Sequence, residues 1–309
     1  MQFLRFMAFG VSFCGAIAAP ASAQDQIAEQ DGLGIELEEL LSEKGTFRLE
    51  FGTTLSAARE KGVTGLFQTI ETGTGDFVTV PIDIGSTDRQ SETVLGDIGL
   101  RYGLSTRSEV YARATLRTDR AQFTDSTTGL TETLSDASFQ SLVIGMNYRF
   151  VDEGERLGLI GFADVALLEN TAARGTDLQP GRSGTLGFTT YRVLDPVVLS
   201  LTAGYRANLD RTFGDDVIDP GDILFINPSV AFAVNNELTL TSGFGLDFSG
   251  DDRVNGIALG GRSTSADLQF GMAYAWSENT TLSADTRTEV LRDNNFTAGI
   301  TLTHKFGRN

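Results

Sequence analysis

The stretch Val197–Asp210, VVLSLTAGYRANLD, decides the fold. Val197, Leu199, Leu201, Ala203, Tyr205, Ala207 and Leu209 share one parity, and Ser200, Thr202, Gly204, Arg206, Asn208 and Asp210 the other. Apolar and polar residues that alternate with period two line opposite faces of a β-strand. The run is also long enough to cross a bilayer when tilted, which takes roughly 9–11 residues.

The alternation recurs on both sides of it. Ala266–Ser277 sets Leu268, Phe270, Met272, Tyr274 and Trp276 against Asp267, Gln269 and Gly271. Leu238–Phe248, Ser141–Phe150, Thr46–Ser56, Val94–Leu104 and Phe296–Phe306 read alike, whereas Leu157–Leu168 and Ser183–Leu194 alternate less cleanly. Tight connections at Ser105–Arg107, Val151–Arg156, Asp195-Pro196, Asn235–Glu237 and Ser277–Asn279 take turns with long polar ones at Arg120–Asp136, Glu169–Arg182, Arg211–Gly221 and Ser249–Ser265. Short periplasmic turns and longer outer loops alternate in this way in outer-membrane barrels. A bilayer admits sheets only as closed barrels, because every backbone polar group needs a partner. The expected fold is all-β: a transmembrane, antiparallel up-and-down barrel of about twelve strands over residues 46–306. Gly65–Ile84 leaves the count open. It reads as a hairpin standing above the membrane in the first outer loop, or as two further crossing strands, giving fourteen; twelve is preferred because Leu66–Thr72 is short and polar.

The N-terminus reads as a secretory signal over residues 1–23: Arg5, an apolar Phe6–Ala19, and a small-x-small site at Ala21-Ser22-Ala23. The chain's one cysteine, Cys14, falls within it, which removes disulfides and thiolate chemistry from the remainder. Residues 24–45 form a periplasmic or plug segment. Ile35, Leu37, Leu40 and Leu41 among acidic neighbours predict a short helix ended by Gly45 that either trails in the periplasm or plugs the lumen. A formal net charge of -17 argues against nucleic acid as a partner.

The lumen is the candidate functional surface. Parity sends Arg48, Glu50, Asp97, Arg101, Arg113, Arg117, Arg149, Arg206, Asp247, Asp267, Asp285, Arg287 and Glu289 inward as pore-lining residues. Charged rings in a lumen select what passes; the same residues also pair with each other to stiffen the wall. Catalysis finds little support. The single histidine, His304, sits on the predicted lipid face, and no Gly-x-Ser-x-Gly elbow occurs. Asp215, Asp216, Asp219 and Asp222, with Asp251 and Asp252, give acidic outer loops whose spacing matches no EF-hand, so no metal and no cofactor is expected.

The Phe47–Ser56 strand, the Leu100-Arg101-Tyr102-Gly103-Leu104 segment with its Ser105–Arg107 turn, and the Glu109–Arg117 strand resemble the outer-membrane transporters grouped under the meta-pathway of phenol degradation. Channels that export functional-amyloid subunits are related to these. The resemblance implies a twelve-stranded barrel with a transport role, and a helix ahead of the barrel that plugs it. It also implies homo-oligomers joined by a coiled coil, for which the segment before Ile35 is short. Gly299, Leu302, His304 and Phe306 give the final strand the spacing of a signal for the barrel-assembly machinery, with Phe306 three residues from the end. The expected function is passive passage of small, aromatic or apolar solutes across the outer membrane of a diderm bacterium. Export of an unfolded peptide and a structural or adhesive role are the alternatives. Membrane lipid and the transported solute or peptide are the expected partners.

Overall fold

The structure, a computed structural model, describes residues 41–307 except 61–66, 74, 82–87, 125–130, 173–174, 214, 259–260 and 292–294. The signal segment and Ile35, Leu37 and Leu40 lie outside the described residues.

Twelve strands follow one another around a closed ring. They are β1 (Phe47–Glu60), β2 (Asp88–Ser105), β3 (Ser108–Thr124), β4 (Thr131–Val151), β5 (Gly158–Asn170) and β6 (Ser183–Leu194). β7 (Val197–Asn208), β8 (Ile223–Ala233), β9 (Leu238–Ser249), β10 (Ser263–Ser277), β11 (Thr280–Glu289) and β12 (Asn295–Phe306) complete it. Each is antiparallel to its chain neighbours, and β1 closes on β12 with Phe47 opposite Phe306. The remaining short pieces leave this ring intact.

The outer surface of the ring is apolar and bare. Phe51, Ile98, Ile144, Leu186, Leu199, Phe270, Trp276 and Ile300 are all exposed on it, Trp276 at 70%. No water-soluble protein leaves so continuous an apolar band uncovered; hydrocarbon is the solvent it fits. At the short-turn end the band is edged by aromatic pairs, Phe47 with Tyr102 and Tyr148 with Phe150, at 4.5 and 4.9 Å between ring centres. Tyr and Trp rings are stable at a membrane–water boundary because one part is apolar and another polar.

The ring is uneven in height. β4 has 21 residues and β11 only 10. At about 3.3 Å per residue and a tilt near 40°, the longer strand rises roughly 50 Å, about twice the apolar band. β2, β3 and β4 therefore stand as a tall wall on one side. On the lower side the long loops pair with each other, through Arg211–Phe213, Asp216–Asp219, Arg253–Val254 and Ile257–Ala258.

A bulge accounts for the unclear alternation over Leu157–Leu168. The β4–β5 register slips between Leu142 and Val143, where Leu167 is skipped, so Val165 and Leu167 both stay exposed while Ala166 and Glu169 are buried. One extra residue reverses the parity of everything beyond it.

The described end of the N-terminal segment departs from the expected helix. Leu41–Lys44 is not helical. Lys44 forms a parallel bridge to Gly103 of β2, and Glu43–Thr46 closes a turn through Thr46 N–H to Glu43 O at 3.0 Å, with Gly45 at a φ of 83°. Strand pairing gives the backbone of 43–45 partners that a helix end there would lack.

Phe67–Glu71 and Phe77–Pro81 form a separate two-stranded hairpin. They add no crossing strand: the hairpin reading of Gly65–Ile84 and the count of twelve hold, the fourteen-strand alternative does not, and only the hairpin's place differs. The hairpin lies inside the ring.

Candidate functional site: a lumen filled by its own hairpin

The position of the hairpin follows from what it touches. Asp76 pairs with Arg113 of β3, Glu71 with Arg287 of β11, and the Phe77 ring packs on Phe225 of β8, tilted at 45°. The Thr79 carbonyl accepts from Gln140 of β4 at 3.0 Å, and its hydroxyl from Arg206 of β7 at 3.4 Å. Strands from all round the ring meet one short element only if that element is within it.

The hairpin has two unlike faces, because residues alternate along it. Ile70, Val78 and Val80 form one face and cluster with Leu95, all 5% exposed or less. Leu95 is an inward-facing leucine of β2 between the inward Thr93 and Asp97. A leucine aimed into an open aqueous pore would be out of place; here it is the seat for the hairpin. Burying such side chains gives roughly 1.5–3 kcal/mol each. Glu71, Phe77 and Thr79 form the opposite face.

Beneath the hairpin, the inner wall carries a connected set of charges. Glu50 receives Arg101 Nε at 2.6 Å and Arg113 Nη2 at 3.0 Å. Arg101 also reaches Glu109 at 3.0 Å, and both guanidinium groups lie over the Tyr111 ring. Arg117 pairs with Asp119 at 2.6 Å, and Asp97 accepts from the Thr115 hydroxyl at 3.4 Å. A second set joins Arg206 and Arg211 to one carboxylate, Glu169, at 3.3 and 3.2 Å. Paired guanidinium and carboxylate groups tolerate burial that single charges do not.

The far wall is different. Asp247, Asp267, Asp285 and Glu289 share the inner face of β9–β11, with Asp267 directly opposite Glu289. From β2 to β7 the inner arginines are matched by carboxylates, Asp97, Glu109, Asp119, Asp164 and Glu169, whereas on β9–β11 these four carboxylates share the wall with Arg287. An excess of carboxylates on one wall makes that side of the bore negative.

The short-turn mouth holds the strap that precedes β1. The Ser42 amide and hydroxyl both donate to Glu109, at 2.7 and 2.5 Å, and Leu41 packs on Ile160, Tyr191 and Val193. Its carbonyl accepts from Arg48 at 3.4 Å. The strap passes so close to β2 that a Cβ on Gly103 would lie 2.0 Å from the Glu43 carbonyl oxygen. Outside the barrel wall proper, Glu43 meets the Lys305 ammonium at 2.7 Å, which holds its carboxyl below the usual range.

All thirteen sequence-derived lumen residues stand on the inner face, Arg149 among them beside Asn147 on β4. Glu50, Arg101, Arg113, Arg206 and Arg287 are engaged with each other or with the hairpin. Sequence reasoning missed Glu109, Glu169, Gln140, Leu95 and the aromatic residues Tyr111, Phe162 and Phe225. Parity alone would have found Glu109, two residues from Tyr111 and four from Arg113; the Leu167 bulge hid Glu169. His304 sits on the outer face, with Nδ1 2.8 Å from the Thr280 hydroxyl and its ring against Phe306. Asp216, Asp222 and Asp252 accept from Asn255, Tyr205 and Gly221 N–H within the paired loops.

A family model described as "Putative MetA-pathway of phenol degradation" matches residues 52–306. The chain belongs to this family. The family member spans every strand, from early β1 to the end of β12. Among solved structures it is similar to the COG4313 outer membrane channel from Pseudomonas putida F1, at 13% identity and a TM-score of 0.61, covering 86% of this chain and 97% of that one. It is also similar to the translocator domain of the autotransporter NalP from Neisseria meningitidis, at 10% identity and a TM-score of 0.49, covering 86% and 90%. The likeness to the COG4313 channel, at 13% identity, establishes a shared barrel fold and no more. No curated protein matches the chain.

Proposed function

We propose that this protein is a passive outer-membrane channel for small solutes whose bore is closed by the 67–81 hairpin. The observation that carries the reading is the hairpin's seating. A stopper held by side-chain contacts, inside a ring whose backbone is complete without it, is separable from the wall. The charged inner faces, and the resemblance to a solved outer membrane channel, support passage through the lumen. The thirteen charged positions are then the pore lining, and the strap at Leu41 is a second constriction at the short-turn, periplasmic mouth. The exposed Phe306 on β12 fits recognition by assembly machinery, and the apolar band fits lipid. His304, turned outward beside Phe306, is placed for an interfacial role and not for catalysis.

Planar-bilayer conductance tests this directly. The full chain should show small, intermittent currents. A chain in which Phe67–Pro81 is replaced by a short Gly-Ser link should show severalfold larger, steady ones. Absence of current in both would refute the channel reading; equal currents would refute the stopper.

A further inference from the structure

The hairpin face opposite Leu95 presents two groups to the wall in a way that resembles a ligand. Phe77 is 8% exposed and lies 4.7 Å from the Phe225 ring, which in turn stacks with Phe162 at 6.4 Å. The floor under these rings is glycine. A Cβ on Gly204 would fall 2.4 Å from the Phe225 ring, and one on Gly187 2.3 Å from the Phe162 ring. The wall is thus cut away so that flat rings lie against it. Two residues along, the Thr79 hydroxyl accepts from Arg206. Arg206 is 3% exposed, and its Nε has no hydrogen-bond partner. Arg206 and Arg211 share the carboxylate of Glu169, and Asp164 lies near enough to Arg206 to act on it, so the two guanidinium groups are matched by two carboxylates.

We propose that Phe77 and Thr79 occupy, from within the chain, a lumen site for a single-ring aromatic acid, its ring on Phe225 and its carboxylate on Arg206. Alternate residues of a strand are about 6.7 Å apart, so the acid group stands two or three bonds from the ring, the 3-phenylpropanoate class. The flat aromatic floor selects the ring, and the unspent Nε of Arg206 selects the carboxylate over an alcohol. A solute of this class competes with the hairpin for the wall, so binding and unseating of the stopper are the same event. The inference rests on the channel reading and adds the solute to it.

Calorimetry on the purified full chain in detergent, with 3-phenylpropanoate, 3-cyclohexylpropanoate and 3-phenylpropanol, separates the parts. Phe77→Ala should bind 3-phenylpropanoate about tenfold more tightly than the parent does, and about tenfold more tightly than the cyclohexyl analogue. Adding Arg206→Gln should bring the acid down to the level of the alcohol. Arg206→Lys, which keeps a charge for Glu169, serves if the glutamine variant misfolds and should lose a smaller factor. Equal binding of aromatic and cyclohexyl acids by Phe77→Ala, or acid binding indifferent to Arg206, overturns the site. Those results leave the channel standing if Phe77→Ala still conducts. Loss of current in Phe77→Ala and in the chain lacking Phe67–Pro81 overturns the channel, whatever the calorimeter reads.

Discussion

Replacing Asp76 by Asn removes a charge from the hairpin and keeps its shape. Asp76 pairs with Arg113, whose side chain is 3% exposed and also holds Glu50 at 3.0 Å. Orphaning a buried charge costs about 3–5 kcal/mol. Arg113 keeps Glu50, so the loss here is smaller, about 2 kcal/mol. The ratio of unseated to seated hairpin should then rise about thirtyfold. Glu71→Gln acts at Arg287 on β11, across the ring from β3. The two sites share no partner, so their effects should add to about 4 kcal/mol, or roughly a thousandfold. A stopper seated all but one part in a thousand in the parent would be out half the time in the double variant. Single-channel recording in planar bilayers reads this as the fraction of time at full conductance. If that fraction in the double variant stays within about twofold of the parent, while the strand circular dichroism is unchanged, the two ion pairs do not hold the hairpin and the reasoning fails.

The apolar face should respond separately: Leu95→Ala removes the seat of Ile70, Val78 and Val80, costs about 2–3 kcal/mol, and should lengthen openings without altering ion selectivity. Gly103→Ala places a methyl group against the Glu43 carbonyl and should expel the strap, exposing the bond after Leu41 to protease; unchanged digestion would show that the strap is not held there. In the paired outer loops, burial and then the neighbouring Asp210 push the Asp219 carboxyl above its ordinary 3.8. A raised carboxyl pKa stabilises the folded loops fully below the ordinary value, and that stability is lost as pH rises through the folded value. Amide exchange over Arg211–Asp219, corrected for its intrinsic rate, should therefore slow as pH falls from neutrality toward 3.8, and Asp219→Asn should abolish the dependence.

The barrel was legible because lipid and lumen impose opposite demands on adjacent residues. Val197–Asn208 forms β7 with Arg206 inward and Tyr205 outward, as the alternation requires. Twelve crossings and alternating short and long connections followed from the same rule. The hairpin was not legible as a stopper. Phe77–Pro81 carries strand propensity, but nothing local records that it packs on Leu95 or Phe225, which are distant in sequence. The one clue was Leu95 itself, apolar at the parity of Asp97 and Arg101. Pairing among inward charges was expected from parity, but not the partners that the hairpin supplies, such as Asp76 for Arg113, because these meet within the bore and not along a strand ladder. The expected helix failed at Leu41–Lys44 because strand geometry next to Gly103 satisfies that backbone better.

The hairpin lies wholly within one connection, between β1 and β2, and contributes no bond to any crossing pair. Its length and side chains can therefore drift without disturbing the register of a single strand. Relatives that inherit the same ring can differ in bore, in selectivity and in how often they open, through changes confined to some twenty consecutive codons.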